Sequence, residues 1–197
     1  MISLTKSFTI IALSATLALA AQAPKQNSEL KEIAQTGKES SKLLLQTLGK
    51  NMKAHMKKGG PMDALSFCST EAYPLTEKVN KELPEGVTVK RISLKYRSPA
   101  NQPQADEAKV LEAMQTLKDA NVVLPKHFVE KVDENVYKFY KPLVIKKGVC
   151  LKCHGDIKNK DLKRAISERY PDDKATGYKM GDLRGAVVVT INKTAKK

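Results

Sequence analysis

LRGAVVVTIN, Leu183–Asn192, is the stretch that decides the fold. It is a near-continuous apolar run, which reads as a strand covered on both faces and hence central in its sheet. Other segments read around it. Residues 128–132 and 135–145 form two antiparallel strands joined near Asp133-Glu134, and residues 87–96 (VTVKRISLKY) alternate as a strand. Between them, residues 105–120 place Val110, Leu111, Met114 and Leu117 at helical spacing. Residues 97–104 (RSPANQPQ) and 147–155 read as loops, 160–170 as a short helix, and 171–182 as a long polar loop.

The N-terminal part is helical. A helix is expected from about residue 29 to 58, with Leu45, Leu48, Met52 and His55/Met56 recurring, until Gly59-Gly60-Pro61 breaks it. A second helix starts at Pro61-Met62, since Pro suits a first turn. Its stripe is Leu65, Cys68, Ala72, Leu75 and Val79, which puts Cys68 on a buried face. Pro74 has no N–H to bond back to the Thr70 carbonyl, so a break should follow Cys68. Helices first, then an antiparallel sheet with a helix between strands, make an α+β fold. No internal repeat or low-complexity tract interrupts it.

The chain has 197 residues, enough for one domain or two small ones. Residues 8–21 (FTIIALSATLALAA) are apolar or small and too few to span a bilayer. With Ala18-Leu19-Ala20 near their end as a small-x-small cleavage site, they read as a secretory signal cleaved after Ala20. The mature protein is therefore expected to be soluble and periplasmic, with no later membrane span. The net charge is +14, yet 30 of the 35 basic residues are Lys and only 5 are Arg. Nucleic-acid readout favours Arg forks and stacking aromatics, and there is no Trp. Composition and export together exclude nucleic acid as a partner.

Cys150-Leu151-Lys152-Cys153-His154 is C-x-x-C-H in an exported chain. Two thiols at this spacing can add to the two vinyl groups of one haem, and the next histidine then meets the iron. One such motif implies one covalent haem c. The competing readings are a redox-active C-x-x-C, a zinc site lacking its fourth ligand, and a plain disulfide. A second axial ligand could come from Cys68, from His55 or His127, or from Met52, Met56, Met62, Met114 or Met180. Cys68 is the leftover cysteine, and a buried structural thiol or an intermolecular disulfide would also account for it.

Four stretches carry a resemblance: ALSFCSTEAYPL (64–75), RISLKYRSPANQP (91–103), CLKCHG (150–155) and YPDDKATGYKMGDLRGAVVV (170–189). They resemble an exported single-haem cytochrome family with a PAS-like fold, first catalogued as a domain of unknown function. The resemblance covers about residues 62–192. It implies a PAS-like antiparallel sheet flanked by helices, haem c on Cys150 and Cys153, His154 as proximal ligand and Cys68 as distal ligand. It also implies a role in redox or small-gas sensing. The domain plan is then a signal peptide at 1–20, a linker and N-terminal helix at 21–61, the haem domain at 62–193 and a basic tail at 194–197.

Arg97 and Asn101 are candidates to hold haem propionates, since Arg suits carboxylates. Tyr170 and Tyr178 could pack at the porphyrin edge. Lys138, Lys141, Lys146, Lys147 and Lys152 gather near the haem motif and could steer an acidic redox partner. Three roles compete: a sensor binding CO, NO or O₂, an electron-transfer cytochrome, and a small peroxidase. A peroxidase generally needs a vacant iron position and a distal acid/base pair, so no enzymatic activity is expected.

Overall fold

The computed structural model of the chain describes residues 16–195, with side chains from residue 27 onward. The side chains of the expected signal segment, residues 1–20, and the last two residues of the basic tail lie outside that range. The chain divides into two units, Met1–Glu32 and Ile33–Lys197. The described part of the first is helical backbone from Thr16. The second holds the sheet and every candidate site residue. Among the described residues, no helix is long and apolar enough to cross a membrane.

Helix α1 (Thr16–Thr70) loses helical geometry at Gly59 and Gly60, the latter with φ 68° and ψ −153°. That backbone region is open essentially only to glycine, so the break falls where the Gly59-Gly60-Pro61 reading places it. The short polar linker expected between the signal segment and the N-terminal helix, residues 22–28, is helical backbone instead, although Pro24 lies within it. A second break at Glu71 precedes α2 (Ala72–Glu82), where Pro74 lacks the N–H that would continue the ladder.

Strand β1 (Val87–Ile92) is followed by one 3₁₀ turn at Pro99–Asn101 and by α3 (Ala105–Asp119). Then come β2 (Phe128–Lys131), β3 (Val136–Val144), α4 (Gly148–His154), α5 (Lys160–Arg169) and β4 (Leu183–Asn192). The sheet order is β1-β4-β3-β2, antiparallel throughout, so β4 is central as its apolar run requires. This is the α+β antiparallel sheet flanked by helices expected from sequence. The β2–β3 turn closes on Asp133, whose carboxylate accepts from the N–H groups of Asn135 and Val136 at 2.7 and 2.8 Å.

The two sheet faces have different cover. Val87, Val89, Tyr137, Phe139, Val187, Val189 and Ile191 pack beneath Leu44, Leu48, Phe67, Ala72 and Val79 of α1 and α2. Ile92, Tyr140, Ala186 and Val188 pack on Leu111 and Met114 of α3. The α3 side also buries a carboxylate. Glu107 lies 2.9 Å from Lys90 and 3.5 Å from Lys138, and Lys138 also pairs with Asp106. Lys138 is therefore tied up inside the fold and is not part of a docking face, which corrects the reading that grouped it with the surface lysines.

Residues 146–182 leave the sheet between β3 and β4 as one excursion. Its neck is closed by Ile145 N–H donating to the Asp182 carbonyl and Gly181 N–H donating to the Ile145 carbonyl, both at 2.9 Å. Leu162, Ala165 and Ile166 of α5 pack on Leu65 of α1, with Cys153 and Tyr170 against them, and so dock the excursion on the α1 side.

Candidate cofactor site around the C-x-x-C-H helix

The C-x-x-C-H motif sits on a helix, α4, where a loop was expected. Residues three and four apart on a helix share a face, so the turn carries Cys150, Cys153 and His154 on one side. Glycines bracket it: Gly148 opens the helix, and Gly155 closes it with its N–H on the Leu151 carbonyl at 2.9 Å. None of the three cysteines is in a disulfide.

The histidine is oriented by its own chain. His154 Nδ1 lies 2.8 Å from the Ala175 carbonyl oxygen. A carbonyl only accepts, so Nδ1 carries the hydrogen and Nε2 keeps a free lone pair. Burial, then the nearby guanidinium groups of Arg184 and Arg97, push the His154 pKa down to about 3. The ring is neutral at ordinary pH, as a metal ligand must be. Tyr178 meets it edge-on, with ring centroids 6.4 Å apart at 87°. Two backbone bonds strap the loop after α5 to α4: Tyr178 N–H to the His154 carbonyl at 2.9 Å, and Gly177 N–H to the Gly155 carbonyl at 3.0 Å.

Arg97 locks this assembly. Its guanidinium donates to the Cys153 carbonyl at 2.7 Å, to the Asp173 carboxylate at 2.9 Å and to the Ala175 carbonyl at 3.4 Å. Asp173 in turn accepts from Ala175 N–H at 2.8 Å. Arg97 thus holds the loop that orients His154. Asn101 lies in the 3₁₀ turn, where its carbonyl accepts from Ser93 N–H at 3.0 Å, and no contact of its side chain joins it to the cluster.

Cys68 departs from the expected burial. Leu65, Phe67, Ala72 and Val79 around it are buried, but Cys68 is exposed. Even so, the surrounding protein raises its thiol pKa by desolvation, opposed by the charges of Arg91 and Arg97. A side chain on the wall of a concavity satisfies both observations. Cys153 feels the Cys68 charge, and so does Tyr170. Cys68 thus lies within electrostatic reach of Arg91, Arg97, Cys153 and Tyr170.

The two other candidate histidines have partners of their own. His55 stacks on Phe67 at 5.1 Å and pairs with Asp63 at 3.0 Å. His127 stacks on Phe139 at 5.0 Å. Among the described residues, no three His, Cys, Asp or Glu side chains come together as metal ligands. A protein-only zinc centre, which needs four ligands, therefore finds no support here.

Two site residues escaped the sequence reading. Arg91 shares the β1 register of Val87 and Val89, and Arg184 opens β4. Arg184 donates to Ser93 Oγ at 2.8 Å and to the Lys95 carbonyl at 3.1 Å, beside the Tyr178 ring at 5.2 Å. Strict alternation in VTVKRI was the available signal, because it turns Arg91 inward with the valines.

No curated protein matches this chain. A solved structure titled "Crystal structure of the cyanobacterial heme-protein Tll0287" aligns with a TM-score of 0.59 at 21% identity, covering 86% of this chain and 98% of that one. That likeness is one of fold. The model of the Tll0287-like family matches residues 20–192, nearly the whole length, and on that match the chain belongs to the Tll0287-like family.

Proposed function

We propose that the chain is an exported, periplasmic cytochrome that carries one haem c on Cys150 and Cys153. In this reading His154 and Cys68 are its axial ligands, and the protein is a redox or small-gas sensor, not an enzyme. One observation carries the reading: His154 Nδ1–H is committed to the Ala175 carbonyl, which leaves Nε2 free on the same helical face as two free thiols. Family membership and the haem-protein title of the aligned structure support it.

The residues fit such a group. Cys150 and Cys153 would hold it covalently, and His154 presents a neutral ring whose Nδ1–H is held by the Ala175 carbonyl. Cys68 offers an accessible sulfur; burial pushes its thiol pKa up against the opposing charges of Arg91 and Arg97, and a metal would bind it as the thiolate by displacing its proton. Held by a thiolate and an imidazole, such an iron centre would supply a low-potential couple and, with the sulfur displaced, would offer a position to CO, NO or O₂.

The test is expression with haem c maturation machinery, followed by mass spectrometry and by ferric and ferrous spectra of wild type and Cys68→Ala. Covalent haem, low-spin thiolate features lost in the variant, and CO binding to the ferrous protein are expected. A chain without covalent haem overturns the whole reading. Identical spectra remove Cys68 as ligand, and ferrous protein that never binds CO removes gas sensing. Simple electron transfer to an acidic partner is the second reading, favoured by exposed Lys146, Lys147 and Lys152 on and beside α4.

A further inference from the structure

Three of the five arginines in this lysine-dominated chain converge on one place. Arg184 feels the charges of both Arg97 and Arg91, and Arg91 and Arg97 both act on Cys68 and Tyr170. Only one carboxylate makes an ion pair there. Asp173 takes Arg97 at 2.9 Å, while Arg91 and Arg184 have no carboxylate within salt-bridge distance among the described residues. Three guanidinium charges against one carboxylate leave positive charge in excess, and the Lys95 ammonium lies over the same Tyr178 ring as Arg184.

The Nε atoms of Arg91 and Arg97 are buried without a hydrogen-bond partner. Unpaired donors and like charges held together out of water are unfavourable unless an anion meets them. Arg97 spends its fork on Cys153, Asp173 and Ala175, which makes it part of the loop clamp. Arg184 is held by Ser93 and the Lys95 carbonyl through Nη1, with Tyr178 as a further neighbour. Arg91 makes no ion pair, and it lies on the sheet face that also packs against α1, the helix bearing Cys68. A planar fork is the side chain suited to a carboxylate at such a place.

We infer that Arg91 and Arg184, not Arg97 and Asn101, hold the two carboxylates of the haem, whose negative charge meets that positive excess. The assignment rests on the haem reading above and adds the seat of the propionates to it. Arg97 becomes a positioning residue that acts through the loop carrying Asp173 and Ala175.

The experiment is resonance Raman spectroscopy of the propionate-bending bands in the haem-loaded protein. Arg91→Gln and Arg184→Gln should each shift a band, and the double variant should shift both. Arg164→Gln, at an exposed residue paired with Asp161 at 3.0 Å, should leave them in place. Arg91→Lys keeps the charge and loses the fork. It should shift the same band by less, and it serves if the Gln variant does not fold. Mass spectrometry on the same samples separates two failures. Chains without covalent haem sink the haem reading, whereas haem-loaded variants with unmoved bands sink the arginine assignment alone. Sulfate added to wild type should change nothing. A band that moves with sulfate means that the arginines were open to a free anion, and it overturns the assignment.

Discussion

Arg97 and Asp173, 76 residues apart in sequence, meet at 2.9 Å with each side chain only 8% exposed. That contact ties the segment after β1 to the loop after α5. Removing one partner of a buried pair leaves an uncompensated charge. Arg97→Ala should therefore cost about 3 kcal/mol in urea unfolding, and Arg97→Lys should recover only part of the loss. A cost below roughly 1 kcal/mol, the range of surface pairs, would show that the pair is not a clamp.

Gly37 on α1 lies against Phe139, which is fully buried. A Cβ built at Gly37 would meet the Phe139 Cγ at 2.2 Å. Gly37→Ala should lower stability by about 2 kcal/mol through overpacking. Gly49→Ala, on the same helix with nothing within 4 Å of the added carbon, should stabilise by up to about 1 kcal/mol through helix propensity. Thermal melts of the two variants should move in opposite directions.

In a chain prevented from carrying haem (Cys150→Ala with Cys153→Ala), His154 should make stability fall as pH drops. Its folded pKa, about 3, lies below its ordinary value of 6.5. Between those values the unfolded chain binds the extra proton, so acid favours unfolding. Full stability should be present above about pH 6.5, and at pH 4 the loss should approach about 3 kcal/mol. Urea midpoints from pH 7 to pH 4 measure it. His154→Gln should flatten the profile between those pH values; an unchanged slope assigns the effect to other groups.

If electron transfer to an acidic partner is the working role, charge reversal at Lys146, Lys147 and Lys152 should slow it. Lowering the ionic strength should speed the wild type, since exposed charges steer encounter over about a Debye length. Stopped-flow rates at several salt concentrations are the measurement. Rates independent of salt in both proteins remove this docking face.

Much of the molecule was legible in local pattern. Leu183–Asn192 read as a central strand because a strand covered on both faces must be apolar throughout. The Gly59-Gly60 break and the stop before Pro74 followed from backbone chemistry alone. C-x-x-C-H marked the candidate site, and the four quoted motifs all lie within residues 20–192, the stretch that the family model matches. Other features depended on partners distant in sequence. The strand read as residues 87–96 stops at Ile92, where Ser93 Oγ turns to donate to the Arg184 carbonyl at 2.7 Å. Cys68 reads as buried from its helical stripe, but exposure depends on what stands opposite. Arg97 reads as a candidate for haem propionates, and nothing near it in sequence announces Asp173, its partner far along the chain. Lys138 reads as surface charge until α3 delivers Glu107 and Asp106.

The two backbone bonds between Ile145 and the 181–182 turn have a consequence for engineering. They bring the ends of a 37-residue insert side by side, so the strands on either side need not know what lies between them. The C-x-x-C-H helix, α5 and their strap form a cassette whose ends match a β-hairpin. Such a cassette can be lengthened, shortened or exchanged without changing the register of β3 on β4. A chimera that exchanges residues 146–180 for the matching stretch of a relative should keep its sheet and acquire the donor's cofactor chemistry.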